Sequence, residues 1–300
     1  MKIIRKYCSS TDEASAFINS CESRFNEKLE QTVKEIVSRG NKVITLAGPT
    51  CSGKTTTAKA LVKGLEAGGL SAVVISIDDF YLDDLRANLK DGDEIDFDSV
   101  KTIDLDYLAS FTKSLLLGKT VHIPCFNFKT GVRDGYTEYS PKPNDVYIFE
   151  GIQAVYPEVT ALLGDALTSV FINVDDEIIC NGVSFAPHEI RLLRRVVRDY
   201  LFRNTTPEQT FIYWESVRNN EIESIFPNAV DSHFIIDSFL PYELFAIAPY
   251  AIPLLMSVAD DSIHKSTATD LENRLRLIFT VVFKAELIPE GSIFREFIGR

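Results

Sequence analysis

Hydrophobic positions along the chain change their period near residue 40. Before it, Ile18, Cys21, Phe25, Leu29, Val33 and Ile36 recur every three or four residues, which predicts one long amphipathic helix over 11–39. Thr11, Asp12 and Glu13 offer its N-terminal cap, and Gly40 its stop. Beyond it, short apolar runs alternate with helical patterns. KVITLA (42–47), SAVVISI (71–77), VYIFE (146–150), SVFINV (169–174) and HFIID (233–237) read as strands. Nearly unbroken apolar strands separated by helices predict a parallel sheet covered on both faces. Residues 54–66 read as the helix after the first of these strands, ended by Gly68 and Gly69. The stretch 119–140 differs, since it alternates and carries Gly131 and Gly135, and it predicts a β-hairpin appended to the sheet. Residues 187–203 and 206–223 read as two polar helices. From Pro241 the tail reads as an apolar helix with internal prolines, PYELFAIAPYAIPLLMSV, followed by DLENRLRLIFTVVFKAEL. The expected organisation is a helical extension over 1–40, an α/β domain over 41–240 and a helical segment over 241–300 packed on it.

Composition narrows the classes. With 300 residues, 45% of them hydrophobic, the chain can bury one sizeable core. No apolar run is long enough to span a bilayer, and the N-terminal MKIIRKYCSS lacks the apolar core of a signal peptide, so a cytoplasmic location is expected. The five cysteines are scattered, odd in number and outside any CxxC pair, which argues against a disulfide framework or a zinc site. The net charge of −12 makes general binding to nucleic acid or anionic membrane unfavourable. A phosphate ligand must therefore be held by locally concentrated cations, and the placement of arginines becomes informative.

Gly48-Pro49-Thr50-Cys51-Ser52-Gly53-Lys54-Thr55 follows the first buried strand and opens a helix, fitting G-x-x-x-x-G-K-[ST] in full. Glycines let backbone N–H groups turn inward around phosphate oxygens, and the helix N-terminus adds partial positive charge. Lys54 would reach the β- and γ-phosphates, Thr55 would offer a hydroxyl to Mg²⁺, and Thr56 continues the cradle. ATP with Mg²⁺ is the expected cofactor pair. The loop alone does not name the reaction, because motors, GTPases, transporters and kinases share it.

Carboxylates lie at the ends of neighbouring strands. Asp78 and Asp79 close ISIDDFY, where open α/β sheets bind ligands. Either could orient an acceptor hydroxyl and take its proton, or the pair could cap a helix. Glu150 ends the next strand and suits a metal-holding role or an exposed strand end. Asp96 and Asp98 flank Phe97, an acid pair that could grip vicinal sugar hydroxyls. In HEIRLLRRVVRDYLFR, Arg191, Arg194, Arg195 and Arg198 fall on one helical face, with Leu192, Leu193, Val196, Val197 and Tyr200 on another. The arginine face is either a solvated stripe or a mobile lid whose guanidiniums stabilise transferring phosphate.

These residues resemble the uridine kinase / phosphoribulokinase group of P-loop kinases. The likeness runs in order through GPTCSGKTT, ISIDDFY, DFDSVKTID, VHIPCFNFKTGVR, VYIFEGIQAVYP and RLLRRVVRDY, within residues 43–240. LPYELFAIAPYAIPLL and IPEGSIFREFIG resemble the bacterial-type uridine kinase-like branch. The resemblance implies an α/β P-loop NTPase fold, a parallel sheet flanked by helices with an appended β-hairpin and a helical lid. It makes Asp78 the catalytic base and implies Thr55, Asp78 and Glu150 as Mg²⁺ ligands or their water-mediated partners. Arg191 and Arg195 would face ATP, and Lys54, Arg194 and Arg198 the phosphoryl group in flight. Tyr81, Asp98, Phe126, Phe128, Arg133 and Arg203 would line the acceptor. Arg218 aligns with an arginine in the helix after the lid.

Two departures matter. The group usually reads the pyrimidine edge with a hairpin histidine, whose place is taken here by Gly131, with Phe126 and Asn127 replacing a Tyr and an Asp. The lid's Arg-Gly-Arg becomes Arg203-Asn204-Thr205. The expected activity is ATP-dependent phosphorylation of the 5′-hydroxyl of a uridine- or cytidine-like acceptor. Other small alcohols (sugar, pantothenate- or glycerate-like) and a nucleotide-binding regulatory role are the alternatives. Oligomers occur in some relatives, so a homo-oligomer is compatible with the reading.

Overall fold

The computed structural model describes residues 1–83, 97–128 and 130–299. The chain opens with β1 (Lys2–Ile4) and α1 (Thr11–Arg39), then β2 (Val43–Ala47), α2 (Lys54–Ala67) and β3 (Ser71–Ser76). Two 3₁₀ turns, Ile77–Phe80 and Val100–Thr102, precede α3 (Leu105–Leu116) and the pair β4 (Val121–Asn127) and β5 (Val132–Tyr139). Then come β6 (Asp145–Glu150), the single turn α4 (Pro157–Thr160), β7 (Leu167–Asn173), β8 (Ile178–Cys180) and β9 (Val183–Phe185). The long helices α5 (Pro187–Phe202) and α6 (Pro207–Asn220) follow, the latter running through a π-helical segment, Glu221–Ile225, into α7 (Phe226–Ala229). The chain ends with β10 (Phe234–Asp237), α8 (Glu243–Met256), α9 (Lys265–Ile278) and α10 (Arg295–Ile298).

The five anticipated strands form one sheet in the order β10-β7-β2-β6-β3, and every pairing in it is parallel. Successive strand residues serve opposite faces, which is why the runs read as unbroken. Ile44, Leu46, Val146, Ile148, Val170 and Ile172 enter one core; Val43, Ala47, Tyr147, Phe149 and Phe171 enter the other. Each of the Val, Leu, Ile and Phe side chains contributes about 1.5–3 kcal/mol through burial. The first core also takes in α1, α2, α5, α8 and α9; the second is closed by α3 and by the β4–β5 hairpin. The hairpin is antiparallel, with a register shift between Cys125 and Phe126.

The expected three-part organisation meets two structural facts. β1 pairs in parallel with β8, in a small sheet β1-β8-β9 that the periodicity did not reveal because its strands are three residues long. Ile4 and Ile18 from the beginning, and Phe294 and Phe297 from the end, share one core with the central sheet. Buried Tyr242 ties these parts together. Its hydroxyl lies 2.5 Å from Glu22 on α1 and 3.0 Å from Ser292 before α10. Within the stretch DLENRLRLIFTVVFKAEL, α9 stops at Ile278. Among the described residues, no helix is long and apolar enough to cross a membrane.

Candidate active site

The phosphate loop leaves the C-terminal end of β2, the central strand. All five residues of β2 are buried, so the loop is mounted on a rigid base. A Cβ at Gly48 would lie 2.2 Å from the Ile172 carbonyl oxygen, and only glycine fits there. Gly53 has φ +94°, and a Cβ on it would meet Ile293 Cδ1 at 2.2 Å. Lys54 Nζ donates to the carbonyls of Gly48 (2.9 Å) and Pro49 (3.2 Å), lying back across the loop. Ser52 is fully buried and its Oγ has no protein partner. Thr55 is exposed at the first turn of α2, while Thr56 meets a residue of the far C-terminus, Glu296.

Glu150 ends β6, the strand between β2 and β3, opposite Leu46 on one side and Ser76 on the other. Burial pushes its pKa from an ordinary 4.5 up to about 7; Lys54 opposes this and Asp78 adds to it. Asp78 stands on the 3₁₀ turn after β3. Its pKa is also raised, by burial first, against the pull of Lys54, a bond from the Tyr81 hydroxyl and the field of Arg203. The adjacent acid does something else: Asp79 Oδ1 accepts the backbone N–H of Phe126 at 3.0 Å and pins the hairpin to the sheet. The Asp78/Asp79 ambiguity of the sequence is thus divided in space.

Beside Asp78 four aromatic rings close on one another. The Tyr81 centroid lies 5.2 Å from Phe97, 5.1 Å from Phe126 and 5.9 Å from Phe128. Phe128 is 52% exposed, while Tyr81 and Phe126 are buried. The Tyr81 hydroxyl donates to the Phe97 carbonyl at 2.7 Å, and Gln153 Nε2 donates to the same oxygen at 2.6 Å. Asp98 follows Phe97, and its carbonyl accepts the Tyr156 hydroxyl at 3.0 Å. Asp96 lies outside the described residues. Gly131, φ +77°, closes the hairpin turn. Arg133, expected at the acceptor, is engaged elsewhere. Its Nη2 lies 2.8 Å from Asp104 and 3.2 Å from Asp83, its guanidinium covers the Tyr107 ring, and its side chain is 9% exposed. It braces the hairpin against the start of α3.

The arginine face of α5 is not the free surface that helical spacing suggests. Arg191 and Arg194 are both 0% exposed. Arg194 makes a bidentate pair with Glu243 (2.7 and 3.0 Å), and it also donates to Ser238 and, at 3.0 Å, to the Cys51 carbonyl of the phosphate loop. Arg191 pairs with Glu221, which also takes Arg218, and reaches the Thr50 carbonyl at 3.4 Å. These two guanidiniums are enclosed beneath the loop and hold its carbonyls, leaving them no freedom to swing onto a phosphate. The others gather on Asp199: Arg195 at 3.2 Å, Arg198 at 2.8 Å and Arg203 at 3.6 Å. Arg198 Nη2 approaches Asp199 without hydrogen-bond alignment, so this buried atom keeps its donors. Arg203 is 59% exposed. Asn204 takes φ +52°, the left-handed conformation that glycine adopts freely and asparagine tolerates, so asparagine can stand where the family has glycine.

The family model described as phosphoribulokinase / uridine kinase matches residues 43–243. The chain belongs to that family. It is therefore a P-loop phosphotransferase acting on an alcohol group. The uridine kinase of Ureaplasma urealyticum is 28% identical over 175 residues, covering 58% of this chain and 76% of its own. That of Streptococcus equi subsp. zooepidemicus is 26% identical over the same shares. A solved structure described as a possible uridine kinase from Bacillus stearothermophilus superposes with a TM-score of 0.49 at 18% identity, covering 70% of this chain and 98% of that one.

Several residues of this kinase's site carried no sequence signal. Glu221 and Glu243 neutralise arginines 30 and 49 positions away, and nothing in local spacing marks them. Asp199, adjacent to Arg198, was legible as an Arg-Asp pair but not as the hub of three cations. Glu296 lies beyond the matched residues altogether.

Two outcomes follow from these charges. Arg194→Met leaves Glu243 buried without its partner, and urea denaturation is expected to record a loss of about 3–5 kcal/mol, partly recovered by adding Glu243→Gln. A loss below about 1 kcal/mol would show that the pair does not carry the loop. Glu150 binds its proton more tightly folded than unfolded, so its ionisation costs the fold stability as pH rises from 4.5 toward 7. In melts without nucleotide or divalent cation, Glu150→Gln is expected to raise Tm by a few degrees above pH 7 and not near pH 4.5. An equal shift at both would refute the burial argument.

Proposed function

We propose that this kinase transfers the γ-phosphoryl group of ATP to the 5′-hydroxyl of a nucleoside-like acceptor, uridine or cytidine first. The observation that carries the reading is the placement of Asp78. It is half-buried, under the fields of Lys54 and Arg203, at the edge of the ring cluster of Tyr81, Phe97, Phe126 and Phe128. Aromatic faces favour a planar or ring-shaped acceptor, and a carboxylate beside them can accept its hydroxyl proton. Asp98, next to Phe97 and close enough to act electrostatically on Tyr81, suits contact with ribose hydroxyls.

In this reading Asp78 orients the acceptor hydroxyl and takes its proton. Lys54 leaves the carbonyls of Gly48 and Pro49 for the phosphates. Arg198 and Arg203, and Arg195 beside them, supply positive charge as the phosphoryl group moves, while Arg191 and Arg194 act indirectly by holding the loop. Thr55, Asp78 and Glu150 would hold Mg²⁺. They fit it, being hard oxygen donors, two of them half-buried carboxylates whose pKa values desolvation raises against the pull of Lys54. When bound, the ion neutralises charge on the phosphate oxygens.

Gly131 favours a second reading, a small-alcohol acceptor without a base, because no side chain at that position can read a base edge. For a nucleoside, the base would be selected by ring stacking, which discriminates weakly. Coupled ADP release with a panel of nucleosides and small alcohols separates the two. We expect uridine and cytidine to be used within about tenfold of each other, whereas a hydrogen-bonding reader gives about 10⁴-fold. Turnover with sugars or hydroxy acids and none with nucleosides would transfer the case to the second reading. Asp78→Asn is expected to keep ATP binding and lose about 10²- to 10⁴-fold in turnover. With neither nucleotide nor divalent cation bound, the Asp78 carboxyl is expected to titrate above the ordinary carboxylate range, because burial raises its pKa, and an NMR titration compared with Asp78→Asn checks it. Near-normal turnover by Asp78→Asn would remove its role as base.

A further inference from the structure

The first turn of α2 is the most valuable anion position in a P-loop enzyme, because its N–H groups have no partners within the helix. Gly53, the residue before it, supplies no side-chain cap. Here the position holds an anion from α10, near the last described residues. Glu296 Oε2 accepts the backbone N–H of Thr56 at 3.3 Å and its hydroxyl at 3.0 Å. Its charge also reaches Arg198, whose pKa burial lowers and nearby acids, Glu296 among them, raise. Arg198 keeps a buried Nη2 without an aligned acceptor.

The tail that carries Glu296 is anchored. Ile293, Phe294 and Phe297 are buried, Ser292 bonds Tyr242, and Arg295 donates to the carbonyls of Ala285 (2.8 Å), Ile288 (2.6 Å) and Gly299 (3.1 Å). Ile293 packs where a Cβ on Gly53 would stand, and Arg194 joins the two parts by lying 4.7 Å over the Phe297 ring while bonding Cys51. The tail backbone is therefore part of the loop's surroundings, and only the partly exposed Glu296 side chain is free to exchange partners.

We infer that Glu296 is an affinity-setting residue of the nucleotide site: it holds the phosphate donors of Thr56 while nucleotide is absent and is displaced by a nucleotide phosphate. A phosphate oxygen and a carboxylate oxygen cannot both take the Thr56 N–H and hydroxyl, and two anions at that separation repel strongly in a partly buried site. Each binding event then breaks two hydrogen bonds and moves a charge. That weakens nucleotide binding and speeds product release, with no lid required. The inference rests on nucleotide binding by the P-loop, which family membership supports, and not on which alcohol is phosphorylated.

The test is titration calorimetry on the full chain with ATP, ADP and adenosine, with no acceptor present, so its outcome is independent of the acceptor assignment. Glu296→Ala is expected to bind ATP and ADP about tenfold more tightly and adenosine unchanged, because adenosine has no phosphate to compete. Glu296→Gln removes the charge and keeps the shape; it should tighten ATP and ADP in the same direction, and it covers the case in which the alanine variant fails to fold. Glu290→Gln, at an exposed tail position, is the control. Unchanged or weaker ATP and ADP binding in the Glu296 variants, with only a lower Tm, would make Glu296 a static cap of α2 and overturn the inference. Equal tightening of adenosine would overturn it as well, since the effect would then not lie at a phosphate.

Discussion

The phosphate loop depends on a charge that sees no water. Arg194 is sealed between α5, the start of α8 and the loop, and its one positive charge is balanced by Glu243 while a separate donor holds the Cys51 carbonyl. Cys51 adopts φ +57°, a conformation costly for a residue with a side chain, and the fixed carbonyl offsets that cost. Arg191 repeats the arrangement one residue earlier, at Thr50, with Glu221 as its counter-ion. A carbonyl turned outward leaves the loop's N–H groups facing inward. The buried pairs thus serve geometry. As net sources of stability they are weak, because desolvation consumes most of their attraction.

The positions of the two counter-ions connect distant elements to the loop. Glu221 is the first residue of the π-helical segment, where the wider turn shifts side chains relative to an α-helix and aims one carboxylate at both Arg191 and Arg218. Glu243 begins α8, so the apolar helix with its two internal prolines reaches the active site through one carboxylate.

Much of this was legible in the chain. The five sheet strands, the loop, the hairpin and the arginine helix all have local signatures, in period, spacing or glycine placement. Arg191 and Arg194 fall on one face with Arg195 and Arg198 by spacing, yet their surroundings differ completely. Spacing records a face and not what covers it, and the covering acids come from α6's continuation and α8. The surroundings of Arg133 were hidden for the same reason: its partners Asp83 and Asp104 lie far from it in sequence. The β1–β8 pairing escaped because three-residue strands have no period to detect. Asp78 could be singled out from the chain because a strand end is itself a local feature.

The turn that carries Asp78 also carries Asp79, and Asp79 is bonded to Phe126 of the hairpin. One peptide link therefore separates the group proposed to take the proton from the group that sets where the acceptor wall stands. A change in the hairpin that re-aims Phe126 pulls on Asp79 and rotates the same short turn. On the proposed roles, specificity and reactivity are mechanically geared together, and a lineage altering one would have to readjust the other within four residues, Ile77 to Phe80.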